Sequence, residues 1–151
     1  MTSALHGTVV LIGATGVFIR GPSGSGKSQL AATLIDRGGR LVADDQAFVS
    51  QCHGRLVAGP PAPTAGLLEV RGRGLLRLPF ERGAVLRLLA DLVEPSAMER
   101  LPYPEDLWAD LGGVRLARQP LAIGDPAAPL MVEMAALAAH GDARAWLLHS
   151  P

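Results

Sequence analysis

Apolar residues fall in short clusters along this 151-residue chain, and most clusters have the length and β-branching of strands. Residues 8–12 (TVVLI) and 17–19 (VFI) are two such runs, and GATG between them predicts a tight connection. After a stretch of glycines and polar residues, Leu30, Leu34 and Ile35 recur at helical spacing in SQLAATLIDRGG, where Gly38 and Gly39 provide the stop. Residues 40–44 and 47–51 predict two further strands, and HGR followed by LVAG predicts the turn and return of an antiparallel hairpin. The segment 59–66, GPPAPTAG, cannot be regular structure, and LLEVRGRGLLRL reads as strand, glycine bend, strand. In 85–93, VLRLLADLV, apolar residues satisfy both the helical and the buried-strand pattern, so both stay open. EPSAMERLPYPEDLW is a proline-broken surface stretch, VRLARQPLAI a strand, and PLMVEMAALAAHG an alanine-rich helix with a glycine stop. Strands interleaved with helices, without repeat or linker, predict one α/β domain.

Charge and composition remove several classes of function. Lys plus Arg and Asp plus Glu both number 14, which leaves no basic excess for non-specific binding to nucleic acid. Cys52 is alone, so neither an internal disulfide nor a zinc cluster is expected. The N-terminal MTSALHGTVVLIG lacks the basic start and long apolar run of a signal peptide, and no run is long enough to span a membrane. A cytoplasmic protein is the expectation.

The glycine-rich stretch carries specific chemistry. Gly21 to Ser28, GPSGSGKS, match G-x-x-x-x-G-K-S in full, with an apolar strand before and an amphipathic helix after. Gly21, Gly24 and Gly26 let the backbone curl so that N–H groups along Gly21, Ser23, Gly24, Ser25 and Gly26 point at phosphate oxygens, while Pro22 removes one donor. Lys27 then reaches the β- and γ-phosphates, and the Ser28 hydroxyl is a ligand for Mg²⁺.

Seventeen positions beyond Lys27, LVADDQA ends a short strand in two adjacent aspartates. Adjacent strand residues point to opposite faces, so both carboxylates reach one site only if the strand ends there. Asp44 then suits a metal ion and Asp45 the role of general base, whereas a solvated strand end is about as common for such a pair. Glu69, flanked by Leu68 and Val70, either faces solvent or meets a cation.

GPSGSGKSQLAATLIDRGGRLVADD, followed by LLEVRGRG at 67–74, resembles the catalytic domain of HPr kinase/phosphorylase over about His6 to Leu78, with an echo in PLMVEMAAL. That resemblance implies a P-loop, phosphoenolpyruvate carboxykinase-like fold with a mixed sheet flanked by helices, filling 1–151 as one kinase catalytic domain. It implies ATP, or pyrophosphate, as phosphoryl donor with Mg²⁺, a serine of the phosphocarrier protein HPr as acceptor, and reversal by inorganic phosphate. It also implies a homo-oligomer, a hexamer in the family. Residue by residue, it gives Lys27 and Ser28 to phosphate and metal, Glu69 to a second metal-binding carboxylate, and His6 and Arg71 to the catalytic set. Asp45 matches the proton acceptor, which leaves Asp44 to the metal.

The chain departs from the family pattern at several points. It begins almost at His6, so a short form without the family's N-terminal domain is the expectation. Pro22 replaces a frequent acidic residue, and Gln29 a frequent Glu or Asp. Arg82 and Arg87 are the only stand-ins for an arginine-bearing loop. IGDPAAPL replaces a segment that usually contains Gly-Arg and serves dephosphorylation, which favours the kinase direction. Two other readings remain at this level: a P-loop kinase of a small metabolite, which needs a lid, and a non-catalytic nucleotide sensor.

Overall fold

The ambiguous run at 85–93 is a strand, and the sheet is built around it. The computed structural model describes residues 2–140. In chain order the strands are β1 (Thr2–His6), β2 (Thr8–Ile12), β3 (Thr15–Arg20), β4 (Arg40–Ala43), β5 (Gln46–Cys52), β6 (Arg55–Gly59), β7 (Leu67–Val70), β8 (Gly74–Arg77), β9 (Ala84–Val93), β10 (Trp108–Leu111) and β11 (Val114–Ala122). The helices are α1 (Lys27–Asp36) and α2 (Ala128–Ala139). β9 is paired along both edges, parallel to β3 on one side, and on the other antiparallel to β6 and then parallel to β11. It is covered on both faces, which is why its apolar residues show neither clean period. The full order is β1-β5-β6-β9-β3-β2-β4, with β11 and β10 branching from β9, and β7-β8 form a separate hairpin.

Both helices lie on one face of this mixed sheet. Leu30, Ala31 and Leu34 of α1 and Ala128, Val132 and Ala136 of α2 pack with Val17, Ile19, Leu88 and Ala90 from the strands. Among the described residues the opposite face has no α-helix; Val9, Phe18, Val42, Val49, Leu56 and Leu89 form a second cluster because the sheet curls over itself. The expected fold class is therefore correct, with the helices restricted to one side.

Local chemistry sets the connections. His53 and Gly54 both have positive φ, as a two-residue hairpin between β5 and β6 requires. α1 stops where Gly38 takes φ +107 and the N–H groups of Gly38 and Gly39 bond back to the carbonyls of Ile35 and Leu34. Pro120 is tolerated in β11 because only the edge facing β9 is paired there. β1 and β10 go beyond the sequence reading: the first joins β5, and the second begins at the last residue of the expected surface stretch and closes a hairpin with β11.

An ion cluster centred on the buried Asp91 ties the start of the glycine-rich loop to β9. Arg20 grips both carboxylate oxygens of Asp91, with Nε to Oδ1 at 2.7 Å and Nη2 to Oδ2 at 2.9 Å. Arg118 donates to the same Oδ2 at 2.5 Å and to the Asp106 carbonyl at 2.9 Å. Burial pushes the Asp91 carboxyl up, but hydrogen bonds and charges from the two arginines outweigh it and hold the group below its ordinary value. Its stabilising contribution is thus complete above the unfolded carboxylate value of about 4 and is lost as pH falls through the lower folded value. Asp91→Asn is expected to cost about 3 kcal/mol at neutral pH, since it leaves two guanidinium groups facing a neutral side chain. Denaturant unfolding of both proteins should show the gap narrowing as the buffer is acidified.

Candidate active site

A cleft of about 700 Å³ opens at one end of the sheet, where four parts of the chain converge. The first is the glycine-rich loop. Gly26 precedes α1 with φ +97, a conformation in which a Cβ would be strained, and it turns the first helical N–H groups toward the cleft without a side-chain cap. Gly21 has no space for a side chain, since a Cβ there would lie 2.7 Å from Ser25 Oγ and 2.9 Å from Leu92 Cβ. Lys27 is only 8% exposed, and its ammonium folds back to donate to the carbonyls of Gly21 (2.9 Å) and Pro22 (3.0 Å). Pro22 lacks an N–H but serves as an acceptor. The Ser25 hydroxyl is buried without a partner among the described residues.

The second part is the pair of aspartates, which the backbone separates. Gln46 N–H bonds to the Asp44 carbonyl at 2.7 Å, spanning Asp45 at φ +67. This is a γ-turn with positive φ, a strained conformation held by a further bond from Gly7 N–H to the Asp45 carbonyl. The turn ends the strand pattern, so the two carboxylates do different things. Asp44 is drawn inward: its Oδ1 accepts from Ser28 Oγ (2.7 Å) and Thr8 Oγ1 (3.0 Å), and its Oδ2 from Glu69 N–H (3.2 Å). Asp45 is exposed and lies 3.5 Å from His6 Nδ1. That neighbour comes from β1, whose register places His6 opposite Gln46.

The third part is the β7-β8 hairpin, which presents Glu69 and Arg71 to the cleft. Arg71 reaches over the glycine-rich loop; a Cβ on Gly24 would be 3.7 Å from its Nη2. The fourth is the segment from Ala122 into α2, which contributes Ile123, Asp125 and Pro126.

His6, Ser23 to Ser28, Asp45, Glu69 and Arg71 all line this one cleft. Asp44 sits just behind it, bonded to Ser28, and Gly21 and Pro22 support the loop from beneath. Arg82 and Arg87 are not among the lining residues, so neither replaces an arginine-bearing loop there. Ser28, Asp44 and Glu69 offer hard oxygen donors. No group of three or more His, Cys, Asp or Glu suited to a metal occurs among the described residues. Two carboxylates and a hydroxyl still fit Mg²⁺, which takes few protein ligands and fills its octahedron with phosphate oxygens and water. Two contributors escaped the sequence reading. Thr8 is fully buried, and its one signal was a hydroxyl at the start of an otherwise apolar strand. Asp125, which accepts from Ala127 N–H, stood just before the predicted helix.

The family profile described as HPr Serine kinase C-terminal domain matches residues 1–85. The chain belongs to this family. Among relatives, HPr kinase/phosphorylase of Clostridium tetani is 47% identical over 75 residues, covering 50% of this chain and 25% of that protein. The Clostridium novyi protein of the same name is 45% identical over 112 residues, covering 74% of this chain and 35% of the relative. The chain thus spans only about a quarter to a third of the length of these relatives. The solved structure of the Hpr(Ser) kinase/phosphatase from Coxiella burnetii superposes with a TM-score of 0.78 at 27% identity, over 88% of this chain and 93% of that one. The HPr kinase match covers the loop, the aspartate turn and the β7-β8 hairpin, and ends within β9.

The γ-turn makes Asp45 testable apart from any activity. Asp45→Gly removes a Cβ from a left-handed backbone and should raise unfolding stability by about 0.5–1 kcal/mol. Asp45→Val puts a β-branched residue there and should lower it by about 2 kcal/mol. Thermal and denaturant unfolding of the two variants should bracket the parent protein.

Proposed function

We propose that the chain is an ATP-dependent protein serine kinase acting in the cytoplasm on the phosphocarrier protein HPr. The observation that carries this reading is the exposure of Asp45 and His6, 79% and 61% at their side chains, on the rim of a phosphate-binding cleft. A base that activates a small metabolite is normally enclosed by a lid. A base that must meet a serine on another folded protein has to stand open. The lid candidate, the segment carrying Arg82 and Arg87, does not reach this cleft.

The loop amides and the N-terminus of α1 hold the β- and γ-phosphates, and Lys27 exchanges its two carbonyl partners for phosphate oxygens. Ser28, Asp44 and Glu69 are the residues to hold Mg²⁺, which when bound offsets charge on the phosphates. Asp45 accepts the proton of the incoming serine hydroxyl, with His6 orienting the carboxylate from 3.5 Å. Arg71, above Gly24, stabilises charge on the transferred group. Positioning and electrostatics do most of the work.

The kinase direction is favoured over phosphorolysis because the wall formed by 122–129 brings Asp125 and prolines to the cleft and no arginine. An anionic wall disfavours inorganic phosphate as an attacking group. Exposed Phe48, Leu130 and Leu137 support assembly into a homo-oligomer, as in the resemblance to a hexameric family. No helix of the described residues is long and apolar enough to cross a membrane.

Purified HPr and labelled ATP give the direct test. The parent chain should label a serine of HPr. Asp45→Asn should lower transfer by about a hundredfold or more while leaving ATP affinity within a few-fold. Normal labelling by Asp45→Asn would remove the base assignment, and ATP binding without transfer to HPr would favour a nucleotide sensor.

A further inference from the structure

The nucleotide cleft uses only one end of α2. Along the rest of that helix, Met131, Met134 and Ala138 form one wall of a second, open cavity of about 620 Å³, lined also by β9, β11 and the 104–108 turn. The volume lies in the range of small-molecule sites. Among the described residues four arginines line it, Arg55, Arg87, Arg115 and Arg118, and no carboxylate does. Arg118 is neutralised by Asp91, but the other three have no acidic partner among the described residues. Arg115 lies over the ring of Trp108, 4.9 Å from its centroid, so cation and apolar plane are presented together. The Nε of Arg87 is buried and makes no hydrogen bond among the described residues. A buried guanidinium N–H without an acceptor is costly, and an anion held nearby offsets the charge that the protein leaves unpaired.

We propose that this cavity binds a small amphipathic anion, a phosphate or carboxylate carried on an alkyl or aromatic body. Arg87 and Arg115 pair with the anion, since a guanidinium fork suits both carboxylate and phosphate oxygens. Trp108, Met131 and Met134 pack the apolar body, and the unbranched methionines adapt to its shape. The site is separate from the phosphate loop, although Ala128 and Pro129 at the other end of α2 wall the nucleotide cleft.

Isothermal titration of the full chain with octyl phosphate tests this. One molecule should bind per chain, and Lys27→Ala, which damages the phosphate loop, should leave that binding intact. Arg87→Gln should weaken it by about tenfold, the value of one lost charge-assisted hydrogen bond. Arg115→Gln, at an exposed side chain that folding does not need, should weaken it as well. Octyl glucoside and inorganic phosphate should each bind at least about tenfold more weakly than octyl phosphate, because each supplies half of the recognition. Absence of binding, loss in Lys27→Ala with retention in Arg87→Gln, or equal binding of octyl glucoside would overturn the proposal. Sedimentation of the parent chain, but not of Arg87→Gln, with phosphatidylglycerol vesicles would assign the arginines to a lipid surface instead and overturn it equally.

Discussion

The cleft depends on the carboxylate of Asp44. Three donors from three parts of the chain meet it: the Thr8 hydroxyl from β2, the Ser28 hydroxyl from α1, and the Glu69 amide from β7. The sheet already sets β2 beside β4, but nothing in strand pairing ties α1 or the β7-β8 hairpin to that edge. A partly buried carboxylate is costly unless its lone pairs are filled, so Asp44 draws the loop and the hairpin to itself. Ser28 donates to Asp44 through its proton, which leaves the lone pairs of its oxygen unused. The arrangement therefore orients a hydroxyl whose oxygen retains acceptor or ligand capacity, as a residue beside a phosphate site must.

The turn beside it resolves the difficulty of two neighbouring carboxylates. Left in a regular strand, Asp44 and Asp45 would point to opposite faces, one of them into the apolar cluster around Val9 and Val42. Positive φ at Asp45 costs of order 1 kcal/mol, and two backbone bonds, at Gly7 and Gln46, over-determine it. The gain is that one carboxylate faces inward to its three donors while the next stands in solvent at the rim. Gly7 shares in this. A Cβ there would meet Phe18 at 2.5 Å, so only glycine lets the chain pass from β1 to β2 close enough to bond the turn.

Features encoded within a few residues were legible in the sequence. The glycine-rich loop, the GATG and HGR turns, α1 and α2 all have chemistry that acts over one or two turns of chain, and each lies where the pattern placed it. Elements that depend on distant partners were not. β1, with the sequence TSALH, is exposed along most of its length and has no apolar face to declare it; it is a strand because β5 offers an edge. β10 is only four residues long, follows a proline-rich stretch, and exists because β11 folds back on it. The same limit applied to the site. His6 and Asp45 are 39 positions apart, and no local pattern pairs them; only the resemblance to a family suggested both, and only the β1–β5 register brings them within 3.5 Å. Thr8 and Asp125 had no such prompt.

Lys27 shows how groups lining the cleft offset one another. A lysine 8% exposed beside uncapped helical N–H groups is a cation in a site built to attract anions, and like charge disfavours it there. The carbonyls of Gly21 and Pro22 remove that penalty by accepting from the ammonium. Pro22 is suited to this because it competes for no acceptor of its own. Both acceptors are neutral, so a charged oxygen would be a stronger partner for the same ammonium. Ser25 carries the complementary half: its hydroxyl is buried and unpaired among the described residues, a cost borne where the cleft opens. The loop is thus held by a cation on two carbonyls, beside a hydroxyl that the described residues leave unpaired.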